Sequence, residues 1–189
     1  MKTIDQIQLI LNRADCLYDH HAVNVALDCM AATITEKLKE TCPLVLCVMT
    51  GALITVGHLV TRLAFPLEID YIHATRYRGT TRGGDLHWLV EPRHSLKNRT
   101  VLIVDDIMDG GLTLAAILDY CKQQGANAVY SAVLVSKNRM REEGVKFEPD
   151  FIGLTTPDRY LFGFGLDYEE HLRNVPGIYA VNTADENTA

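Results

Sequence analysis

The chain has 189 residues, enough for one domain with a full core, and its 48% hydrophobic and 22% charged content is that of a soluble globular protein. A formal charge of −6 argues against a dedicated nucleic-acid binder, and no apolar run reaches membrane-spanning length. Repeats, linkers and low-complexity segments are absent, so residues 1–189 read as a single domain.

The first predicted element is an amphipathic helix over residues 1–15, in which Lys2, Asp5, Gln6, Gln8, Asn12 and Arg13 interleave with apolar residues. Those polar residues exclude a signal peptide, and Thr3 with Gln6 fits a capping box. A second helix begins at Asp19 or His20 and spaces Val23, Leu27, Met30, Ile34 and Leu38 along one buried face. After Pro43, residues 44–48 form a short apolar strand, and 49–52 turn into a helix running to about Leu63. Residues 67–74 are the next strand. The polar stretch 76–85 carries Gly79, Gly83 and Gly84 and reads as a mobile loop. Strands over 86–90 and 100–104 follow, then a helix over 113–124 stopped by Gly125, then strands over 128–135 and 151–154. Residues 182–189 are small and polar and are expected to fray. Strands alternating with helices imply an α/β fold with a mainly parallel sheet and helices on both faces. In such a sheet, ligands bind beyond the carboxyl ends of the strands, and Thr50, Asp105 and Lys137 all fall just after predicted strands.

The five cysteines, Cys16, Cys29, Cys42, Cys47 and Cys121, are odd in number and include no C-x-x-C pair. They read as reduced thiols of a cytoplasmic protein. The adjacent His20 and His21 point in different directions and read as a helix start, not as metal ligands.

Residues 101–114 are the most informative stretch. Val101, Leu102, Ile103 and Val104 read as a strand buried on both faces, with Asp105 and Asp106 at its end. Asp109 opens a loop, Gly110 and Gly111 allow close backbone approach, and Thr113 heads a helix. The amides of Gly110, Gly111, Leu112 and Thr113 can converge on one anion, aided by the Thr113 hydroxyl and the helix dipole. Asp105 and Asp106 suit ribose hydroxyls, directly or through a hard cation such as Mg²⁺. Without a ligand, the same stretch is a strand, an acidic turn and a capped helix.

Three further segments carry polar chemistry. The Met49-Thr50-Gly51-Ala52 turn offers amides to a second anion, or is a plain strand-to-helix turn. Lys137, at a strand's carboxyl end, can donate to a carbonyl oxygen, or is a surface lysine. The run from Pro157 through Tyr160, Leu161, Gly163 and Gly165 to Asp167 and Tyr168 can be an aromatic-rich hairpin on the core.

The pattern at 101–114 resembles the phosphoribosyl-pyrophosphate signature of type I phosphoribosyltransferases. Residues 157–168 resemble the purine-binding end of the hypoxanthine-guanine branch, in a bacterial-like form. The resemblance implies the type I phosphoribosyltransferase fold: a central sheet plus a small hood built from the N-terminal segment and about 150–189. It implies transfer of a phosphoribosyl group from its pyrophosphate to a 6-oxopurine base, with Mg²⁺ as cofactor. It also implies a homodimer or homotetramer, and no nucleic-acid or membrane partner.

The resemblance also assigns roles. Asp109 is the general base or hydrogen-bond partner at the purine imidazole nitrogen. Asp105, Asp106 and the Gly110, Gly111, Leu112 and Thr113 loop bind the phosphoribosyl group. Thr50, Gly51 and Arg173 bind pyrophosphate, the first two through a loop that often holds a non-proline cis peptide. Many members have Lys-Gly-Gly where this chain has Thr50-Gly51-Ala52, so that lysine's charge is missing. Arg76 and Tyr77 belong to a flexible loop that closes over the reaction. Lys137 meets the six-position oxygen, Tyr160 stacks on the purine, and the Leu161 backbone meets the two-position edge. Asp105 and Asp106 hold one metal ion, and Asp167 binds a second Mg²⁺ that also holds the pyrophosphate. Two alternatives stay open: a preference for xanthine or another base, and a nucleotide-sensing regulator on the same fold.

Overall fold

The computed structural model describes residues 2–76 and 86–186. Helix α1 (Ile4–Arg13) carries the expected capping box: Gln6 N donates to Thr3 Oγ1 at 3.3 Å, and Thr3 N to Gln6 Oε1 at 2.8 Å. It stops two residues before the predicted end because Asp15 opens a strand, β1 (Asp15–Tyr18). Nothing local announces those four residues as a strand. They are recruited by the other end of the chain, where β8 (Leu161–Phe162) and β9 (Ile178–Ala180) complete an antiparallel sheet in the order β1-β9-β8.

Helix α2 (His20–Leu38) is capped by Asp19, whose carboxylate accepts from Ala22 N at 2.8 Å. Val23, Leu27, Met30, Ile34 and Leu38 are all buried, as their spacing requires. The large sheet contains β2 (Leu44–Val48), β3 (Glu68–Arg76), β4 (Leu86–Val90), β5 (Thr100–Met108), β6 (Ala128–Lys137) and β7 (Phe151–Thr156). Its order is β4-β3-β2-β5-β6-β7, with every pairing parallel except β3 with β4. The middle strands are buried on both faces, which is why they read as unbroken apolar runs. Helix α3 (Ala52–Val60) packs on β2 and β5, and α4 (Leu112–Gln123) packs on β5 and β6.

Several expected boundaries move. Strand β5 runs on to Met108, so Asp105 and Asp106 lie inside it and not beyond its end. Strand β6 ends at Lys137 itself. The cause is the parallel ladder, which continues through Asp105↔Val133, Ile107↔Val135 and Met108↔Ser136 and outweighs the low strand preference of aspartate. Residues 151–156 form β7 of the large sheet, whereas β8 and β9 belong to the small antiparallel sheet. Residues 183–186 do not fray: they form a short turn, α5 (Thr183–Glu186), where Asp185 meets Arg13 at 3.2 Å. Tyr77 and the expected closing loop through residue 85 lie outside the described residues, and Arg76 is described only as the last backbone position of β3. All five cysteines are free.

The connection after β4 is pinned by a buried acid. Asp70 Oδ2 accepts from His94 N at 2.8 Å and faces His94 Nδ1 at 2.7 Å, while Oδ1 accepts from Tyr71 N at 2.9 Å. Burial alone pushes this carboxyl up, but the His94 and Tyr71 donors outweigh it and hold it below the usual aspartate value. The folded form is therefore favoured by ionised Asp70. That stability is present above about pH 4 and is lost as pH falls through the depressed folded value. Asp70→Asn is expected to cost about 2 kcal/mol at neutral pH and to flatten the acid side of the stability curve. Thermal melts across that range test it; a deficit that stays constant into acid would remove Asp70 from this role.

Candidate active site

The rim at the carboxyl ends of β2, β5 and β6 carries two groups of polar side chains. The first begins at the turn after β2. The Met49–Thr50 peptide is cis, Thr50 is exposed, and Gly51 is the N-cap of α3. A Cβ on Gly51 would strike the Asp106 carboxylate, so glycine is what lets that side chain lie against the turn. On its other side, a Cβ on Gly165 would strike the Gly51 carbonyl oxygen. Arg173 closes the group: Nη1 donates to Gly165 O at 2.8 Å and Nη2 meets Asp167 Oδ1 at 2.8 Å and Glu170 Oε2 at 3.2 Å.

Asp105 is buried and Asp106 half-buried, with Asp106 N donating to Asp105 Oδ1 at 3.0 Å. Burial holds the Asp105 carboxyl well above the ordinary range, and the Asp106 charge raises it further. Burial also raises Asp106, against the pull of Asp105 and of the Arg173 cation. The neighbouring Cys47 thiol is pushed up to about 12 by burial and by both aspartates, so it stays protonated and is no nucleophile. Two adjacent buried carboxylates favour any cation or hydroxyl donor brought to them. Among the described residues, no group of three or more His, Cys, Asp or Glu side chains converges into a complete metal cage. The oxygen-only pair Asp105 and Asp106 suits a hard cation such as Mg²⁺, which is usually held by one or two carboxylates with phosphate and water completing the shell.

The loop after β5 turns its backbone into the start of a helix, a form suited to an anion. Gly111 takes φ of +86°, a left-handed conformation that glycine tolerates, and is the N-cap of α4. The helix therefore starts at Leu112, one residue ahead of the expected Thr113. The first-turn amides, Leu112 and Thr113 among them, have no partner within the helix and stand at its positive end.

The second group surrounds Asp109, just beyond β5. Lys137 Nζ lies 3.4 Å from Asp109 Oδ2 and 3.4 Å from Asp158 Oδ1. Arg139 Nη1 meets Asp109 Oδ1 at 2.9 Å, and its Nε meets Asp158 Oδ2 at 3.7 Å. Lys137 is buried, while Asp109 and Asp158 stay nearly half exposed. Tyr160, close to Asp158 in the chain, is 39% exposed and meets Tyr168 edge-on at 5.5 Å; its hydroxyl accepts from Glu169 N at 3.4 Å. Lys2 Nζ donates to Tyr168 Oη at 2.7 Å, so the N-terminal segment backs this aromatic pair. Leu161 is buried and opens β8 opposite Ala180.

A sequence model of the phosphoribosyl transferase domain matches residues 13–170. The chain is 31% identical over 156 residues to the hypoxanthine-guanine phosphoribosyltransferase of Bacillus subtilis, covering 82% of this chain and 86% of that one. The chain belongs to the phosphoribosyltransferase family. It is also 30% identical over 162 residues to the hypoxanthine-guanine-xanthine phosphoribosyltransferase of Tritrichomonas foetus, covering 86% of this chain and 88% of that one. The solved hypoxanthine phosphoribosyltransferase of Staphylococcus aureus shares the fold, with a TM-score of 0.88, 24% identity, and coverage of 94% and 97%.

Sequence reasoning brought Thr50, Asp105 and Lys137 to one rim but missed the residues that join the segments. Asp158 lay inside the aromatic run and its charge was the only signal. Gly165 was visible as the second glycine of Gly163-x-Gly165, yet its approach to Gly51 is purely tertiary. Arg139 and Arg141 sit in an irregular segment that no periodicity marks.

Proposed function

We propose that this chain transfers the 5-phosphoribosyl group of phosphoribosyl pyrophosphate to hypoxanthine or guanine, giving IMP or GMP and pyrophosphate in purine salvage. The observation that carries the reading is the pairing of Asp109 with Lys137 at the adjacent ends of β5 and β6, beside the Asp158–Tyr160 segment. A purine with its imidazole nitrogen at Asp109 turns its six-position oxygen toward Lys137. The bond from the anomeric carbon to pyrophosphate breaks, the bond to N9, the imidazole nitrogen remote from the six-position oxygen, forms, and the proton on N7, the imidazole nitrogen at Asp109, passes to that carboxylate. Tyr160 stacks on the base, and the Leu161 backbone meets its two-position edge. The Gly110, Gly111, Leu112 and Thr113 amides hold the 5-phosphate, while Asp105 and Asp106 hold the ribose hydroxyls. Thr50 and Gly51 offer backbone to the pyrophosphate, and Arg173 offers its planar fork. Bound Mg²⁺ would offset the charge gathering on pyrophosphate; Asp105 and Asp106 would hold one ion and Asp167 a second.

Lys137 supplies the selectivity. Adenine carries an amino donor where hypoxanthine carries an acceptor, so adenine would set two donors face to face. Lys137→Ala is expected to lower the preference for hypoxanthine over adenine by about tenfold to a hundredfold. Specificity constants for both bases check this; an unchanged ratio counts against the pocket. Acceptance of xanthine is a second reading, favoured by the likeness to the Tritrichomonas enzyme. The deciding assay follows pyrophosphate release with Mg²⁺, phosphoribosyl pyrophosphate, and hypoxanthine, guanine, xanthine or adenine in turn. Release with the first two is expected; no release with any base would overturn the reading.

The reading extends to a cytoplasmic homo-oligomer without nucleic-acid or membrane partners. No helix among the described residues is long and apolar enough to cross a membrane. Leu53, Ile69, Tyr71 and Val90 expose large apolar side chains along one groove between α3 and the β3–β4 edge, a surface suited to a second copy. Light scattering is expected to give about two or four times the 21.1 kDa chain mass; a monomer at micromolar concentration would reject this.

A further inference from the structure

The side chains of Asp109 and Lys137 come from different strands, and something must keep their separation constant. The ladder between β5 and β6 ends at Met108↔Ser136, just before either functional side chain. Beyond it, Asp109 and Gly110 are irregular, and so is the segment from 138 to 150. One guanidinium spans this gap. Arg141 Nη1 donates to Lys137 O at 3.0 Å and Asp109 O at 3.1 Å, with Met108 O at 3.5 Å. Its Nη2 donates to Ser136 Oγ at 2.8 Å. The remaining edge is held by Glu148, with Nη2 to Oε2 at 2.7 Å and Nε to Oε1 at 3.1 Å. The Arg141 side chain is 13% exposed, so these bonds are largely shielded from competing water.

We infer that Arg141 is a positioning residue: its fork ties the backbone of Asp109 to the backbone of Lys137 and so sets the distance between the group that meets the purine imidazole and the group that meets the six-position oxygen. Arg141 touches no reacting atom in this arrangement. It acts through the two carbonyls, and Glu148 acts through it by fixing the plane of the fork. The next residue extends the clamp, since Glu142 N donates to Gly110 O at 3.0 Å. Lysine cannot replace arginine here. An ammonium has no planar fork and cannot serve a two-point carboxylate on one edge and two carbonyls on the other.

This inference rests on the proposed transfer reaction. Its test uses the full chain as wild type, Arg141→Gln, Arg141→Lys and Glu148→Gln, each assayed well below its own melting temperature. With hypoxanthine, Arg141→Gln is expected to lower kcat by about tenfold to a hundredfold, the cost of a misplacement near 1 Å. Its preference for hypoxanthine over adenine should fall as well, because Lys137 moves with the loop. Arg141→Lys should recover little, and Glu148→Gln should follow in the same direction by about twofold to fivefold. A purely structural arginine would lower the melting temperature and leave both kcat per folded molecule and base preference at wild-type values; that result would overturn the inference. An inactive wild type would instead reject the transfer reaction itself, so the two failures are distinct. Should the Arg141 variants not fold, Glu148→Gln decides: the Glu148 carboxylate is 60% exposed, and the near-isosteric amide keeps an oxygen that accepts from the Arg141 fork.

Discussion

Asp109→Asn is expected to lower kcat by roughly two to four orders of magnitude, the range typical of a lost general base, and to leave the fold in place. The substitution is close to isosteric and the site is open, with the Asp109 side chain 44% exposed. Its carboxylate is held by ion pairs to Lys137 and Arg139, and partly exposed pairs are each worth about 0.2–1 kcal/mol. The melting temperature should therefore fall by only a few degrees. The chemical loss is larger because an amide cannot take the imidazole proton. An amide also leaves the cations of Lys137 and Arg139 with Asp158 as the carboxylate they share and Glu142 beside Arg139. Single-turnover measurements with hypoxanthine, beside calorimetric binding of the base, separate the two effects. Near-normal turnover in the folded Asp109→Asn variant would remove Asp109 from the base role.

Gly165→Ala is expected to lower kcat/KM for phosphoribosyl pyrophosphate by about a hundredfold or more and to destabilise the chain by about 2–4 kcal/mol. Gly165 has φ of +107°, a conformation that L side chains rarely adopt, and its new methyl would strike the Gly51 carbonyl. That obstacle is backbone and cannot rotate away. One of the two loops has to retreat by about 1 Å, which is the scale at which misplacement costs a hundredfold. Either retreat harms the proposed pyrophosphate site, since Gly51 packs on Asp106 and the Gly165 carbonyl anchors Arg173. The expected signature is weak binding of magnesium-loaded phosphoribosyl pyrophosphate by calorimetry, with less effect on binding of the free base. Wild-type affinity in Gly165→Ala would mean that the approach of the two loops is immaterial to the site.

Elements with a regular apolar spacing or a capping residue are legible in the amino-acid sequence. The five-residue apolar run of β2, the single apolar face of α2 and the Thr3–Gln6 capping box all follow from spacing alone. Strand β1 is not legible, because four residues of mixed polarity become a strand only when β9 arrives from over 150 positions away. The ends of β5 and β6 depart from expectation for a related reason. Local preference argues against a strand through Asp105 and Asp106, and only the neighbouring strand's hydrogen bonds extend it.

By itself, the order of residues determined an α/β sheet, two adjacent acids followed by a glycine-containing turn into a helix, and a lysine at a neighbouring strand end. These depend on interactions within a few positions: alternation, capping, and the freedom of glycine at Gly111. Only the tertiary structure decided that Asp109 faces Lys137 and Arg139, that Gly165 meets Gly51, and that Arg141 spans β5 and β6. Those contacts join segments far apart in the chain. Their energy is gained only after the sheet has closed, and no local pattern carries a record of it.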